Sequence, residues 1–128
     1  MIDHVGLKVR DFRRSRDFYV AALGALGIEL LAEFEAGGLE HAGFGTAEGT
    51  RLWLSSGKLL REGDAHVAFI ARSRAQVHAF HTVALATGGR DNGAPGLRPH
   101  YHPDYYAAFV LDPDGNNVEA LYMGKEGA

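Results

Sequence analysis

The chain has 128 residues, 46% hydrophobic and 23% charged, with a formal net charge of −3, values that are typical of one globular domain over residues 1–128. Its Lys and Arg residues are dispersed and no apolar run reaches the roughly 20 residues that span a bilayer, which excludes nucleic-acid and membrane partners. It has no cysteine, which excludes disulfides and thiolate sites, and its start reads as a strand and not as a signal peptide, so we expect a cytoplasmic protein.

The first half of the chain predicts a strand, a helix and three further strands. Residues 2–9 alternate between apolar and polar side chains, as in a half-buried strand. Asp11 is a suitable N-cap for the helix that follows, and the apolar spacing of that helix continues to Leu26, with Gly24 and Gly27 marking its end. Three strands separated by glycine-rich turns come next: residues 29–35, 41–46 and 50–55.

The second half repeats this order at an offset of 62 residues. His66 begins a strand as His4 does, and Ser73, at the position equivalent to Asp11, is predicted to cap the second helix. Residues 91–99 hold glycines and prolines and predict a loop or an irregular strand. A strand, a type I turn of sequence Asp-Pro-Asp-Gly and a final strand follow: residues 105–111, 112–115 and 117–122. The pattern is therefore βαβββ twice.

Three side chains are predicted to share one kind of sheet face. His4 and His66 occupy equivalent positions, and the alternation of each strand turns them away from the helix that follows. Glu119 alternates with apolar neighbours in the last strand, so it also points away from the helices. Neutral imidazoles and a carboxylate are common ligands of Zn²⁺, Fe²⁺, Ni²⁺ or Mn²⁺. The alternative is a set of unrelated surface residues. In that case, a histidine would have to occur by chance at the same position in both halves of the repeat.

Three segments carry the most specific motifs of the chain: residues 1–11 with 15–19, residues 66–69, and residues 112–119. Together they resemble the vicinal oxygen chelate superfamily, which includes glyoxalase I, fosfomycin-resistance transferases, extradiol dioxygenases, methylmalonyl-CoA epimerases and bleomycin-binding proteins. The resemblance covers essentially the whole chain. It implies an α+β fold in which two βαβββ modules in tandem, about residues 1–60 and 63–124, form a curled mixed sheet around a cavity.

The resemblance also implies a site and a chemistry. His4, His66 and Glu119 match the family's metal-ligand positions. Members of the family chelate a substrate through two neighbouring oxygens, and the metal acts as a Lewis acid. The implied cofactor is one divalent metal ion, with Zn, Fe, Ni and Mn as the candidates.

Departures from individual branches of the family narrow the chemistry. Glyoxalase I carries a further carboxylate ligand on the last strand of the first module, where this chain offers only Leu52, Trp53 or Leu54. Fosfomycin transferases place a threonine two residues after the first ligand, where Gly6 stands here. Extradiol dioxygenases place a tyrosine on the strand before the last ligand, where counting back gives Phe109. The standard form of each reaction is therefore disfavoured.

Residues 99–106 are the densest source of titratable side chains near the expected cavity mouth. Because the strand around Trp53 has no acid, we expect the proton-transfer group to come from this segment, with His100, His102 and Tyr106 as catalytic candidates. A polar loop with buried aromatic anchors is the alternative interpretation.

The function predicted from the sequence is a metal-dependent lyase, isomerase or dioxygenase that acts on a small oxygenated substrate. The alternative is a metal-free protein that binds small molecules, as in antibiotic resistance. Because exposed sheet edges tend to be paired and related chains of this length usually form two-fold dimers, we also predict a homodimer.

Overall fold

The computed structural model describes residues 1–59 and 61–125, and in these residues the chain forms eight strands and two helices. The first module contains β1 (Val5–Val9), α1 (Phe12–Gly24), β2 (Glu29–Ala36), β3 (Leu39–Thr46) and β4 (Gly49–Ser56). The second contains β5 (His66–Ile70), α2 (Arg74–Ala86), β6 (Arg90–Leu97), β7 (Tyr106–Leu111) and β8 (Asn117–Tyr122). Neither of these two helices is long and apolar enough to cross a bilayer. The predicted end of the first module, at about residue 60, lies outside the described residues.

Each module forms its own four-stranded mixed sheet. The strand order is β1-β4-β3-β2 in the first sheet and β5-β8-β7-β6 in the second. The first strand of each module pairs in parallel with the last, and the other pairs are antiparallel. The α+β fold of two tandem βαβββ modules is therefore confirmed. The mixed sheet is divided, because in the described part of the chain no strand of one module pairs with a strand of the other.

The two helices lie on one face of the sheets and share a single core. Phe18 of α1 and Phe80 of α2 are fully buried in one cluster with apolar residues from both sheets. The two helices also contact each other. Since strand side chains alternate, the residues that do not enter this core lie on sheet faces that point away from it. The outward face of the second sheet carries two of the three residues predicted to bind a metal, His66 and Glu119.

The helix starts follow the predicted caps. The Asp11 side chain accepts a hydrogen bond from the Arg14 N–H at 3.2 Å, and Ser73 accepts one from the Gln76 N–H at 3.1 Å. Two boundaries differ from the sequence prediction. β1 begins at Val5, which leaves His4 just outside the strand, and the irregular segment is the strand β6, with shifts of register. β6 tolerates a proline because it lies at the edge of its sheet.

The Asp-Pro-Asp-Gly turn joins the second module to the first. Asp112 is buried and accepts hydrogen bonds from the Asn116 N–H at 2.8 Å and from the Tyr19 hydroxyl of α1 at 2.7 Å. Burial, together with the neighbouring Asp112 carboxylate, raises the pKa of Tyr19 well above its usual value. Asp114 accepts from the Arg10 N–H at 3.3 Å. A turn predicted as a chain reversal is therefore also a contact between modules.

Candidate functional site

His66 and Glu119 form a pair on the outward face of the second sheet. The parallel pairing of β5 with β8 sets Ala68 opposite Glu119 and so brings Glu119 close to the start of β5. His66 Nε2 lies 3.1 Å from Glu119 Oε1, and the two side chains are 50% and 3% exposed. The carboxylate is therefore buried beneath an imidazole that is open to solvent.

The backbone fixes which nitrogen of His66 carries a proton. His66 Nδ1 lies 3.0 Å from the carbonyl oxygen of Asn117, and a carbonyl only accepts, so Nδ1 is the donor. In the neutral ring, Nε2 is then an acceptor, and it faces a carboxylate oxygen that is also an acceptor. A cation or a second proton is needed between these atoms. Two ligand atoms bound to one ion at about 2.0–2.2 Å lie roughly 3.0–3.5 Å apart, so the pair fits a divalent metal.

Tyr105 contacts the other oxygen of the same carboxylate. Its hydroxyl donates a hydrogen bond to Glu119 Oε2. Burial and this hydrogen bond raise the pKa of Tyr105 to about 12, so the phenol stays protonated at neutral pH and remains a donor. Partners of this kind orient ligand side chains in metal sites.

Phe109 lies beside both the pair and a cationic side chain. It stands directly opposite Glu119 in the pairing of β7 with β8. Its ring centroid lies 6.4 Å from that of His66, with nearly parallel planes. The Arg98 guanidinium carbon lies 5.4 Å from the same ring centroid. The second outward face thus combines a base, an acid, an aromatic ring and a cation.

The outward face of the first sheet is aromatic at the corresponding position. Gly6 pairs with Trp53 in the first sheet, where Ala68 pairs with Glu119 in the second. Trp53 therefore occupies the position at which a further carboxylate ligand would be expected. The Phe34 ring packs against it edge-on, with centroids 5.7 Å apart.

A histidine extends this aromatic surface. The ring of His41 stacks on Phe34 with centroids 5.2 Å apart, and its Nδ1 lies 2.8 Å from Ser55 Oγ. His41 is therefore held by neighbours on its own sheet.

His4 does not join the pair within one chain. Its Nδ1 lies 2.8 Å from Asp3 Oδ1, and its side chain is 56% exposed. In residues 1–59 and 61–125, no three His, Asp or Glu side chains form a group that could hold a metal ion. Convergence of His4, His66 and Glu119 is therefore not found inside a single chain, and convergence across two chains stays a prediction.

The loop before β7 leads towards Tyr105 through aromatic contacts. The His100 ring centroid lies 4.1 Å from that of Tyr101, which in turn lies 5.1 Å from that of Tyr105. His102 is exposed, and its Nδ1 accepts a hydrogen bond from the Asp104 N–H at 3.0 Å. Both predicted histidines therefore lie on the segment that reaches the site, though neither contacts Glu119.

Tyr106 points to the other side of the sheet. Its hydroxyl lies 2.5 Å from His78 Nε2 of α2, and the Arg74 guanidinium lies over its ring at 4.5 Å. Within one chain, Tyr105 and not Tyr106 contacts Glu119. Alternate residues of a strand share a face, and Tyr105 lies four residues before Phe109. This spacing could have selected Tyr105, and not Tyr106, from the sequence. No comparable signal in the sequence marks Arg98.

Comparisons with known proteins agree with this architecture. The family model described as Glyoxalase/Bleomycin resistance protein/Dioxygenase superfamily matches residues 1–120. A solved glyoxalase/bleomycin resistance protein from Albidiferax ferrireducens T118 is 31% identical, with a TM-score of 0.77, and the match covers 97% of this chain and 99% of that one. A search of curated proteins gave no match.

Two further solved structures extend the comparison. Glyoxalase I from Zea mays is 26% identical with a TM-score of 0.72, over 94% of this chain and 45% of the maize chain. This chain therefore spans less than half the length of the maize chain. A glyoxylase/bleomycin resistance protein/dioxygenase domain from Frankia sp. EAN1pec is 18% identical with a TM-score of 0.74, over 97% of this chain and 98% of that one, a likeness of fold.

Proposed function

Because the chain belongs to the glyoxalase/bleomycin resistance protein/dioxygenase superfamily, we propose that it is a divalent-metal-dependent enzyme acting on a small oxygenated substrate. The proposed reaction is of lyase, isomerase or dioxygenase type. The observation that carries the proposal is the 3.1 Å approach of His66 Nε2 to Glu119 Oε1. Since the Asn117 carbonyl holds the proton of His66 on Nδ1, two acceptor atoms face each other at the separation expected for two ligands of one ion.

We propose that His4 of a second copy of this chain completes the ligand set. The support is the direction of the outward faces, which leave the shared core and carry large exposed apolar side chains. Phe34 on the first face is 48% exposed and Ile70 on the second is 79% exposed. A two-fold homodimer that sets the first face of one chain against the second face of the other would cover both. Light scattering that gave only a monomer mass at micromolar concentration would contradict this assembly.

The chain's own residues have distinct parts in such a site. When bound, the metal ion supplies Lewis acidity to two neighbouring oxygens of the substrate. Tyr105 orients the Glu119 carboxylate through its hydroxyl, and the Asn117 carbonyl fixes the ring and tautomer of His66. Phe109 forms an apolar wall beside His66.

Proton transfer is assigned in this proposal to His100 or His102. Both lie on the loop that leads to Tyr105, and imidazoles exchange protons near neutral pH. Tyr106 has no part in the step, because its hydroxyl contacts His78 on the other side of the sheet. Replacing each histidine separately with glutamine should lower turnover by roughly 10²–10⁴ for the one that transfers the proton, at unchanged metal content. Full turnover in both variants would reject the assignment.

Metal binding is the direct test of the proposed function. Untagged protein is analysed for metals and then titrated separately with Zn²⁺, Fe²⁺, Ni²⁺ and Mn²⁺. We expect one ion per chain for at least one metal, and a loss of affinity of about 100-fold or more in His66→Gln. His78→Gln is the matched control, since His78 lies on α2 and its Nε2 contacts the Tyr106 hydroxyl on the other side of the sheet. If none of the four ions binds, the metal-free binding protein becomes the better explanation.

A further inference from the structure

Arg98 lies at the end of β6, on the same outward face as the His66–Glu119 pair. Its backbone N–H donates to the carbonyl oxygen of Tyr105 at 2.7 Å, so the two residues are anchored side by side. Its guanidinium folds back along β6 and donates to the carbonyl oxygens of Gly96 and Ala94, both at 2.8 Å. The charged group is thus held by backbone atoms in a defined position.

Two glycines leave the space in which the guanidinium lies. A Cβ on Gly93 would come within 3.1 Å of Arg98 Nη2, and a Cβ on Gly96 within 3.3 Å of Nη1. Gly93 also has a φ of +152°, a conformation that side-chain-bearing residues rarely adopt. The irregular register of β6 and its glycines therefore form a cradle that positions this cation.

Within the part of the chain that the structure describes, no carboxylate forms an ion pair with Arg98. Across residues 1–59 and 61–125, no Asp or Glu oxygen lies within the 4.0 Å ion-pair distance of the Arg98 nitrogens. A guanidinium has five N–H donors and stays charged at any physiological pH. Two of those donors are taken by the carbonyls of Gly96 and Ala94, which leaves three for a ligand.

The position of Arg98 relates it to the proposed metal site. The Phe109 ring contacts both the Arg98 guanidinium and the His66 ring. Both groups therefore lie beside one ring, and a ligand held at His66 and Glu119 that extends along this ring would approach the guanidinium. The planar guanidinium of arginine can donate two parallel hydrogen bonds to one carboxylate, whereas the ammonium group of lysine cannot.

We infer that Arg98 binds a carboxylate of the substrate, so that the substrate is an organic acid with two neighbouring oxygens at one end and a carboxylate beyond them. The part of this inference that concerns the two oxygens rests on the proposed function. The part that concerns the carboxylate rests on the cradle of Arg98 alone. Arg98 is in this view a specificity residue, since it holds the substrate without touching the reacting atoms.

The test uses two catechol probes that differ only in charge. 3,4-Dihydroxybenzoate and 3,4-dihydroxybenzamide present the same pair of neighbouring oxygens, but only the first carries a carboxylate. Their affinities are measured by calorimetry with the wild-type protein and with Arg98→Gln, Arg98→Lys and Arg90→Gln, each with and without the metal. Arg90→Gln is the matched control, because Arg90 is an exposed arginine at the start of β6, the strand that Arg98 directly follows. Thermal unfolding of each variant checks that it is folded.

We expect the wild-type protein to prefer the benzoate, and Arg98→Gln to lose at least about 10-fold in affinity for it while binding the amide within about 2-fold of wild type. Arg98→Lys should keep part of the preference and Arg90→Gln all of it. Equal binding of the two probes by wild type, or a preference that survives in Arg98→Gln, would overturn the inference. A preference for the benzoate that is the same with and without metal would support Arg98 but contradict chelation by the proposed site.

Discussion

The two modules share a backbone plan but differ in the chemistry of their outward faces. Where the second module sets Glu119 opposite Ala68, the first sets Trp53 opposite Gly6. The helix caps and the buried aromatic positions are kept in both halves because both contribute to one core. The outward faces have no such constraint within a chain, so one has become aromatic and the other polar. The repeated backbone therefore determines where outward-facing side chains lie, but it does not determine which residues occupy those positions.

The sharpest way to break this comparison is to remove the acid from the polar face. Glu119→Gln keeps the size of the side chain but removes its charge, and we expect metal affinity to fall by more than about 100-fold. Glu48→Gln, an exposed residue at the turn between β3 and β4, is the matched control. Metal titration of the two variants is the measurement, and equal affinity in both would mean that Glu119 is not a ligand.

A smaller effect is expected when the acid is kept but its orientation is loosened. Tyr105→Phe removes the hydroxyl that donates to Glu119 Oε2, and we expect metal affinity to fall by about 10–100-fold. Tyr101→Phe removes a hydroxyl from the neighbouring exposed ring and should leave the affinity unchanged. If both variants bind metal like the wild type, Tyr105 supports only the local packing of the loop.

The comparison is sharpened by making the two faces alike. Trp53→Glu gives the first module a carboxylate at the position that Glu119 holds in the second. In the proposed dimer this carboxylate would add a ligand, and we expect metal affinity to rise about 10-fold. Trp53→Gln controls for the loss of the indole. An affinity that is no higher in Trp53→Glu than in Trp53→Gln would place the first-module face away from the metal.

The smallest effect concerns the contact between the modules. Burial, with a contribution from Asp112, raises the pKa of Asp114 above its usual 3.8, although the Arg10 N–H opposes the shift. The folded protein therefore takes up a proton at higher pH than the unfolded chain. Protonation of Asp114 should therefore raise the free energy of unfolding as the pH falls through the raised pKa. This increase should be fully present below the unfolded pKa of about 3.8. Urea unfolding as a function of pH should show this contribution in wild type and not in Asp114→Asn.

An opposite contribution comes from the edge of the second module. A hydrogen bond from His81 lowers the pKa of Asp91, so the associated stability is present above the unfolded value of 3.8 and is lost as the pH falls through the folded value. The two groups act over different pH ranges, since one folded pKa lies above 3.8 and the other below it. A wild-type profile that matches Asp114→Asn at every pH would contradict the assignment to Asp114.

Much of the fold could be predicted because its signals are local. Short-range hydrogen bonds form the helix caps at Asp11 and Ser73 and the Asp-Pro-Asp-Gly turn. Each cap starts its predicted helix, and the turn connects the last two predicted strands. Strand alternation predicts that His66 and Glu119 lie on the same face of the sheet. The parallel pairing of β5 with β8 then brings them together. The pair could therefore be predicted from the sequence.

The remaining features of the site depend on distances that no local pattern encodes. His4 and His66 are equivalent in the repeat, but whether they meet is decided by the way whole sheets and chains pack. Arg98 is held beside Phe109 by the carbonyl oxygens of Gly96 and Ala94, which accept its hydrogen bonds where the register of β6 is irregular. Tyr106 was predicted for the site on density of titratable groups, a measure that ignores which side of a strand each residue takes.

The hydrogen bond from Tyr19 to Asp112 makes the two halves of the repeat unequal. This bond has its donor in the first half and its acceptor in the second, and both residues are buried. Neither half supplies both partners, so separating the halves would leave a buried polar group of each without its hydrogen bond.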